Sequence, residues 1–192
     1  MSEDRDRIIF LRGEKTILRP MNKETDLKKC LVWMNDQEVI MYLARYLPLT
    51  GQQEAEWFDN LQNRKDSVVL AIETLEGEFI GVTGLHGIDW KDGICIAGMF
   101  IGEKEYWGKE YGTDAAMTFF EWAFDTLNLR KIVMDVFAFN ERSWKHLMKC
   151  GAKIEGRQKK HSFKNGKYVD RLLLAIFRND LKKAKKKMEG GS

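Results

Sequence analysis

Between Ile101 and Ala116 the chain reads Ile-Gly-Glu-Lys-Glu-Tyr-Trp-Gly-Lys-Glu-Tyr-Gly-Thr-Asp-Ala-Ala, residues whose types and spacing suit anion binding. An apolar strand pattern gives way there to a glycine-bearing loop and then to an amphipathic helix. Gly108, Lys109 and Gly112 fall where the first helical turn begins. The opening N–H groups of a helix have no partner within it, and the helix dipole adds positive potential. Such a terminus is a ready site for phosphate. The ligand this segment implies carries phosphates.

The elements that must hold the loop follow from hydrophobic period and turn chemistry. Residues 8–20 read as two strands around a turn at Gly13-Glu14. Asp26 reads as the cap of a helix ending near Asn35-Asp36, and Thr50 as the start of a second helix running from Glu54 to Asn63. Three strands follow as a meander. Ser67 to Thr74 turns at Glu76-Gly77, Phe79 to Trp90 turns at Lys91-Asp-Gly93, and Ile94 to Ile101 leads into the loop. In the loop's helix, Ala116, Phe119, Phe120, Ala123, Phe124 and Leu127 form a stripe to bury. Lys131 to Ala138 is a strand, Asn140 opens a helix, and Asn165-Gly166 joins two final strands as a hairpin. The pattern predicts one α+β domain over residues 1–180 with a largely antiparallel sheet. A basic tail, 181–192, is expected to be a solvated helical end closing on Gly190-Gly-Ser, the alternative being a contact with an acidic partner.

Composition narrows the function classes. A chain of 192 residues with six Trp and eleven Phe can bury a large core, roughly 70% of its unfolded surface. A net charge of +3 is too slight to imply a nucleic-acid partner. Cys30, Cys95 and Cys150 have neither disulfide-framework nor metal spacing, so no metal is expected. No apolar run approaches the ~20 residues of a membrane span, and the charged start is unlike a signal peptide. A cytoplasmic monomer or homodimer, off the membrane, is the default expectation.

Element order and motifs together resemble the GNAT acetyltransferases, particularly the branch acting on ribosomal-protein N-termini and polyamines. The resemblance runs from about Arg7 to Asp180. The family's Gln/Arg-x-x-Gly-x-Gly/Ala loop is met by Trp107-Gly-Lys-Glu-Tyr-Gly112, with Trp107 in first place and Glu110 where a glycine is expected. Asn140-Glu-Arg-Ser143 fits the Asn-x-x-Ser/Ala segment. Cys150-Gly-Ala152, Glu155-Gly156 and Lys164-Asn-Gly-Lys-Tyr-Val-Asp170 match the branch's later signatures. The resemblance implies a GNAT fold, a mixed, mostly antiparallel sheet of about seven strands flanked by about four helices.

It also implies acetyl-CoA as cofactor and CoA as product. The pyrophosphate would lie on the amides of Trp107, Gly108, Lys109, Glu110, Tyr111, Gly112 and Thr113, and the pantetheine beside Met99, Phe100 and Ile101. Lys109, Arg142 and Lys145 would add positive charge, the alternative for each lysine being an ordinary surface side chain. Asn140 is a helix cap, and by the resemblance also a cofactor contact. Glu110 repels a pyrophosphate unless its side chain turns outward, which is the expectation.

For catalysis, a backbone N–H near Met99 is the implied oxyanion donor. The Tyr that many relatives use to protonate the thiolate is replaced by Leu147, leaving Ser143 as donor or relay, or as a plain first-turn residue. The usual Glu base falls at Ile96. If Lys91-Asp-Gly93 is a three-residue turn, Trp90 pairs with Ile94, His86 faces Gly98, and His86 shares the face of residue 96. His86 is then a substitute base or a satisfied strand histidine.

The acceptor region, between the early helices and the final hairpin, holds Trp33, Tyr42, Tyr46, Trp57 and Phe58, most of them expected in the core. Glu54, Glu56 and Asp59 are its nearest approach to an acidic cluster, scattered by helical spacing. The expected reaction is direct acetyl transfer in a ternary complex to one primary amine, at a peptide N-terminus or on a small molecule. The alternatives are a polyamine, aminosugar or antibiotic amine as acceptor, or a non-catalytic acyl-CoA sensor.

Overall fold

The structure is a computed structural model that describes residues 7–61 and 63–190. The charged start and the last two residues of the expected tail lie outside the described residues. Eight strands form one sheet: β1 (Leu11–Arg12), β2 (Thr16–Pro20), β3 (Val68–Thr74), β4 (Phe79–Asp89), β5 (Ile94–Ile101), β6 (Lys131–Phe137), β7 (Lys153–Lys164) and β8 (Lys167–Phe177). Their spatial order is β1-β2-β3-β4-β5-β6-β8-β7. Every pairing is antiparallel except β5 with β6. The helices are α1 (Lys23–Asn35), α2 (Gln37–Ile40), α3 (Gly51–Leu61), α4 (Tyr111–Asp125), α5 (Glu141–Lys149) and α6 (Arg178–Glu189). The α+β class and the fold follow the sequence expectation, with one more strand and two more helices.

Each face of the sheet has its own core. On one side the α4 stripe of Ala116, Phe119, Phe120, Ala123 and Phe124 packs on Ile72, Ile80, Leu85 and Ile132. On the other, Cys30 and Trp33 of α1 and Phe58 of α3 cover Ala71, Phe79 and Val82. The Asp114 carboxylate, in the first turn of α4, accepts from the backbone N–H of Glu14, Lys15 and Thr16 at 2.9–3.1 Å. It thereby ties the start of α4 to the β1–β2 turn.

Three expectations are corrected. Asp26 does not cap α1. Asn22 does, accepting from the Glu24 N–H at 2.9 Å, while Asp26 is buried and paired with Arg19. The basic run is not only a solvated end. It belongs to α6, whose Leu181 is buried in the core and whose Lys185 pairs with Glu121 of α4.

The third correction is the register of β4 and β5. His86 pairs with Ile96, and Gly84 with Gly98. The turn Trp90–Gly93 is one residue longer than expected, with Gly93 N–H donating to the Asp89 carbonyl at 2.8 Å. That change alone would flip His86 to the other face. A register shift between His86 and Asp89, at Gly87 with φ +54°, supplies a second residue and flips it back.

Candidate active site

The cleft begins where the one parallel pairing ends. β5 and β6 pair only from Ile94–Lys131 to Ile96–Val133. Beyond that point the strands part, and the separated stretches, 97–101 and 134–137, form opposite walls of a cleft of about 510 Å³. The loop before α4 and the first turns of α5 close one end of it. Met99, Phe100, Ile101, Trp107, Gly108, Glu110, Gly112, Thr113, Asn140, Arg142, Ser143 and Lys145 all line this cavity.

Helix geometry explains the anion site. Residues 111–113 open α4, so their N–H groups point out of the helix without i−4 partners. Among the described residues, the N–H groups of Gly108, Lys109 and Glu110 also donate to no protein group. Gly108 and Glu110 both take left-handed backbone, φ +75° and +70°. For Gly108 that conformation carries no steric cost, and for Glu110 it costs ~1 kcal/mol. Lys109 and Tyr111 do not line the cavity and pack on the ring of Tyr106, which does.

Glu110 is not simply turned outward, since it lines the cleft and its carboxylate also interacts with the Thr113 side chain. Its carboxylate lies on the cleft wall and receives Lys149 Nζ of α5 at 2.7 Å. That bond holds its pKa below the usual carboxylate range. Because the charge is already matched, Glu110→Gly should change acetyl-CoA affinity by less than roughly threefold. The lost surface pair is worth up to ~1 kcal/mol, about what the relieved backbone returns. Calorimetric titration of the variant checks this, and a gain of tenfold or more would show that Glu110 opposes the ligand.

Trp107 accounts for its own unusual place. Its indole N–H donates to the Ile101 carbonyl at 2.7 Å, and the Arg142 guanidinium lies 4.0 Å from its ring centroid and 5.3 Å from that of Tyr42. The tryptophan therefore holds a cation at the cleft by cation–π contact. Asn140 caps α5 by accepting from the Ser143 N–H at 3.3 Å. Its oxygen is thus engaged while its amide N–H groups are left for a ligand. Ser143 Oγ donates to no protein group among the described residues.

Several lining residues carry no pattern in the sequence reading. His146 lies one turn beyond Ser143, and burial lowers its pKa to about 4, so its imidazole is neutral at neutral pH. The i, i+3 spacing from Ser143 was the available signal. Asp135 and Arg171 also line the cleft, brought there only by tertiary packing, while Tyr42, expected in the acceptor region, lines it too. Arg171 Nε donates to Asp135 at 2.5 Å and its guanidinium stacks 4.5 Å from the Phe137 centroid. His86 is not on the cavity wall. It is half-buried on the α1–α3 face beside Gly84 and Gly98, and burial together with nearby Arg64 lowers its pKa.

The acetyltransferase (GNAT) domain model matches residues 15–153, spanning β2 to β6, the loop and α5. The chain belongs to the GNAT acetyltransferase family. Enzymes of this family are N-acetyltransferases that use acetyl-CoA, and the residues here fit that cofactor. Free amides and Arg142, Lys145 and Lys149 line the same cleft and would hold phosphates, and the parted strand β5 gives an extended apolar wall. Among relatives, an uncharacterized N-acetyltransferase of Bacillus licheniformis, p20, is 26% identical over 175 residues, covering 88% of this acetyltransferase and 97% of the relative. YoaA of Bacillus subtilis (strain 168), also an uncharacterized N-acetyltransferase, is 25% identical, covering 87% and 96%. The fold superposes on the spermidine N-acetyltransferase of Vibrio cholerae, solved with CoA and spermine, with TM-score 0.81 at 20% identity. That match covers 86% of this chain and 97% of the other. No helix among the described residues is long and apolar enough to cross a membrane.

Proposed function

We propose that this acetyltransferase acetylates a single primary amine, at a protein or peptide N-terminus or on a small molecule, by direct attack within a ternary complex. The observation that carries this reading is the state of the acids on the cleft wall. Glu110 and Asp135 are each bonded to a cation, Lys149 and Arg171. Arg142 adds further positive charge, while Lys145 is itself paired with Glu141 at 2.6 Å. A polycation would meet no unmatched carboxylate there, whereas one neutral amine on an aromatic and apolar body suits Tyr42, Leu43 and Phe137.

Acetyl-CoA supplies an acetyl group activated as a thioester. The chain's contribution is to hold it and to manage protons. The loop amides and Arg142 bind the phosphates, and Asn140 offers its amide N–H groups beside them. Met99 stands on the parted strand, where a backbone N–H would stabilise developing negative charge. Ser143 Oγ is the hydroxyl free to hydrogen-bond the departing thiolate, because Leu147 is an apolar, buried neighbour. His86 lies off the wall, so its use as base requires a relay through water. Direct transfer is supported by the thiols. Cys30, Cys95 and Cys150 are all buried, which pushes each up to about 12 and leaves no thiolate nucleophile at neutral pH.

Replacing Ser143 by alanine should lower kcat by at least tenfold, toward the ~10²-fold typical of a lost proton donor. Acetyl-CoA affinity should be unchanged. Full activity in this variant would remove Ser143 from the mechanism, as full activity in His86→Ala would remove His86.

The polyamine named for the Vibrio cholerae neighbour motivates a second reading, spermidine or spermine as acceptor. Comparing kcat/KM across N-terminal peptides, small monoamines, aminosugars and spermidine separates the two. A preference for spermidine over every monoamine would replace the first reading with the second.

A further inference from the structure

A second cavity, of about 420 Å³, lies on the opposite face of the sheet from α4, between α1, α3 and the strands β4 and β5. Phe100 lines both this cavity and the acetyl-CoA cleft, so the two spaces are neighbours. The cavity is walled by apolar groups, among them Cys30, Met34, Trp57 and Val82. Two ionisable side chains of opposite sign also line it, Glu54 of α3 and Arg45 from the segment before that helix.

Neither charge is satisfied by the fold. Glu54 is only 5% exposed, and no hydrogen bond or ion pair to its carboxylate is made among the described residues. Burial raises its pKa, with Arg45 acting in the other direction. Arg45 donates through Nη2 to the Pro48 carbonyl at 3.4 Å, while its Nε is buried with no partner. A guanidinium nitrogen buried without an acceptor costs a few kcal/mol unless something answers it, and a carboxylate among apolar groups with no protein donor favours a cationic ligand. The two feel each other electrostatically, yet they form no ion pair among the described residues. Both line a space large enough for a small molecule.

We propose that this cavity binds a small zwitterion of the amino-acid class, its ammonium on Glu54, its carboxylate on Arg45 and an apolar side chain among Met34, Trp57 and Phe100. A cation alone would leave Arg45 unanswered and meet its repulsion. An anion alone would meet Glu54. A molecule carrying both charges a few bonds apart answers both groups at once. Gln53, the remaining polar lining residue, spends its amide oxygen on Thr50 and offers its N–H groups to the carboxylate end. The site is distinct from the anion-binding loop and does not depend on which amine is acetylated.

Calorimetric titration of the full chain without acetyl-CoA tests this with three sets of probes. These are free leucine, methionine and phenylalanine; the corresponding amines lacking the carboxylate; and the corresponding acids lacking the amine. At least one amino acid should bind saturably, with both of its truncated analogues at least tenfold weaker. Glu54→Gln and Arg45→Met should each weaken that amino acid at least tenfold and leave acetyl-CoA affinity unchanged. The analogue series on the unaltered chain stands even if a variant fails to fold. No saturable binding of any of the three amino acids at millimolar concentration would overturn the proposal. So would an amine binding as tightly as its amino acid, which would mark a cation site, or binding that survives both substitutions. Because turnover is not measured, failure here leaves the acetyl-transfer reading untouched, and failure of that reading leaves this site standing.

Discussion

Gly112→Glu is expected to raise the dissociation constant for acetyl-CoA by about 100-fold, close to 3 kcal/mol, with little change in stability. A Cβ at position 112 would find Ile101 Cγ1 and Met99 Sδ at 3.9 Å, ordinary contact distance, so a side chain fits. A carboxylate in the first turn of a helix is also favourable to the helix itself, by ~0.3–1 kcal/mol. The same position lines the cleft among the amides assigned to the pyrophosphate. There the new charge takes the donors and repels the ligand in a partly desolvated setting. The lysine that matches Glu110, Lys149 of α5, is already bonded to that carboxylate. Titration of acetyl-CoA together with thermal unfolding checks both halves of the expectation. Undiminished affinity in a stable variant would mean that the phosphates bind elsewhere.

The largest stability effect is expected from Asp26→Ala, a loss of about 3–5 kcal/mol. Asp26 is 1% exposed and accepts both Arg19 guanidinium nitrogens, Nη1 at 2.8 Å and Nη2 at 2.7 Å, plus the Asn22 N–H at 2.8 Å. Arg19 in turn bonds Glu73, which Arg7 also holds at 2.7 Å. Removing Asp26 leaves a buried guanidinium with one partner fewer and frees the start of α1. Against an ordinary total stability of ~5–15 kcal/mol, that is a large fraction. Denaturant unfolding measures it. Replacing the whole pair, with Arg19→Met and Asp26→Leu together, should restore part of the loss, since the unpaired charge is then gone. A single-variant loss below ~1 kcal/mol would show that the pair behaves as a surface ion pair.

Asp26 also shows where the sequence was legible and where it was not. An acid beside a helical stripe matches the signature of a cap, and nothing local distinguishes it from an acid turned inward to a strand arginine seven residues earlier. Glu54 is the same case. Its helix was foreseen and its neighbours Glu56 and Asp59 are exposed, but its own burial depends on how α3 meets the sheet. The elements with strong local chemistry were readable. Asn165-Gly166 makes its turn with positive φ at both residues, 49° and 77°, as that dipeptide favours.

The anion loop was readable for the same reason, since glycines and a following apolar period are local signals. The β4–β5 register was not, because two single-residue irregularities cancel in their effect on which face His86 takes. The aromatic clasp of Arg142 between Trp107 and Tyr42 joins segments 35 or more positions apart. The sequence offered Arg142 only as a charge, and the stacking that fixes its place came from tertiary structure.

The central claim is direct transfer of acetyl from acetyl-CoA to one amine in a ternary complex. Its most direct test is an initial-rate study of CoA thiol release, with acetyl-CoA and the best monoamine acceptor both varied. Intersecting double-reciprocal lines and one N-acetylated product per thiol released are the predicted result. Parallel lines would contradict direct transfer, and acetyl-CoA binding without thiol release on any amine would contradict the enzyme reading itself.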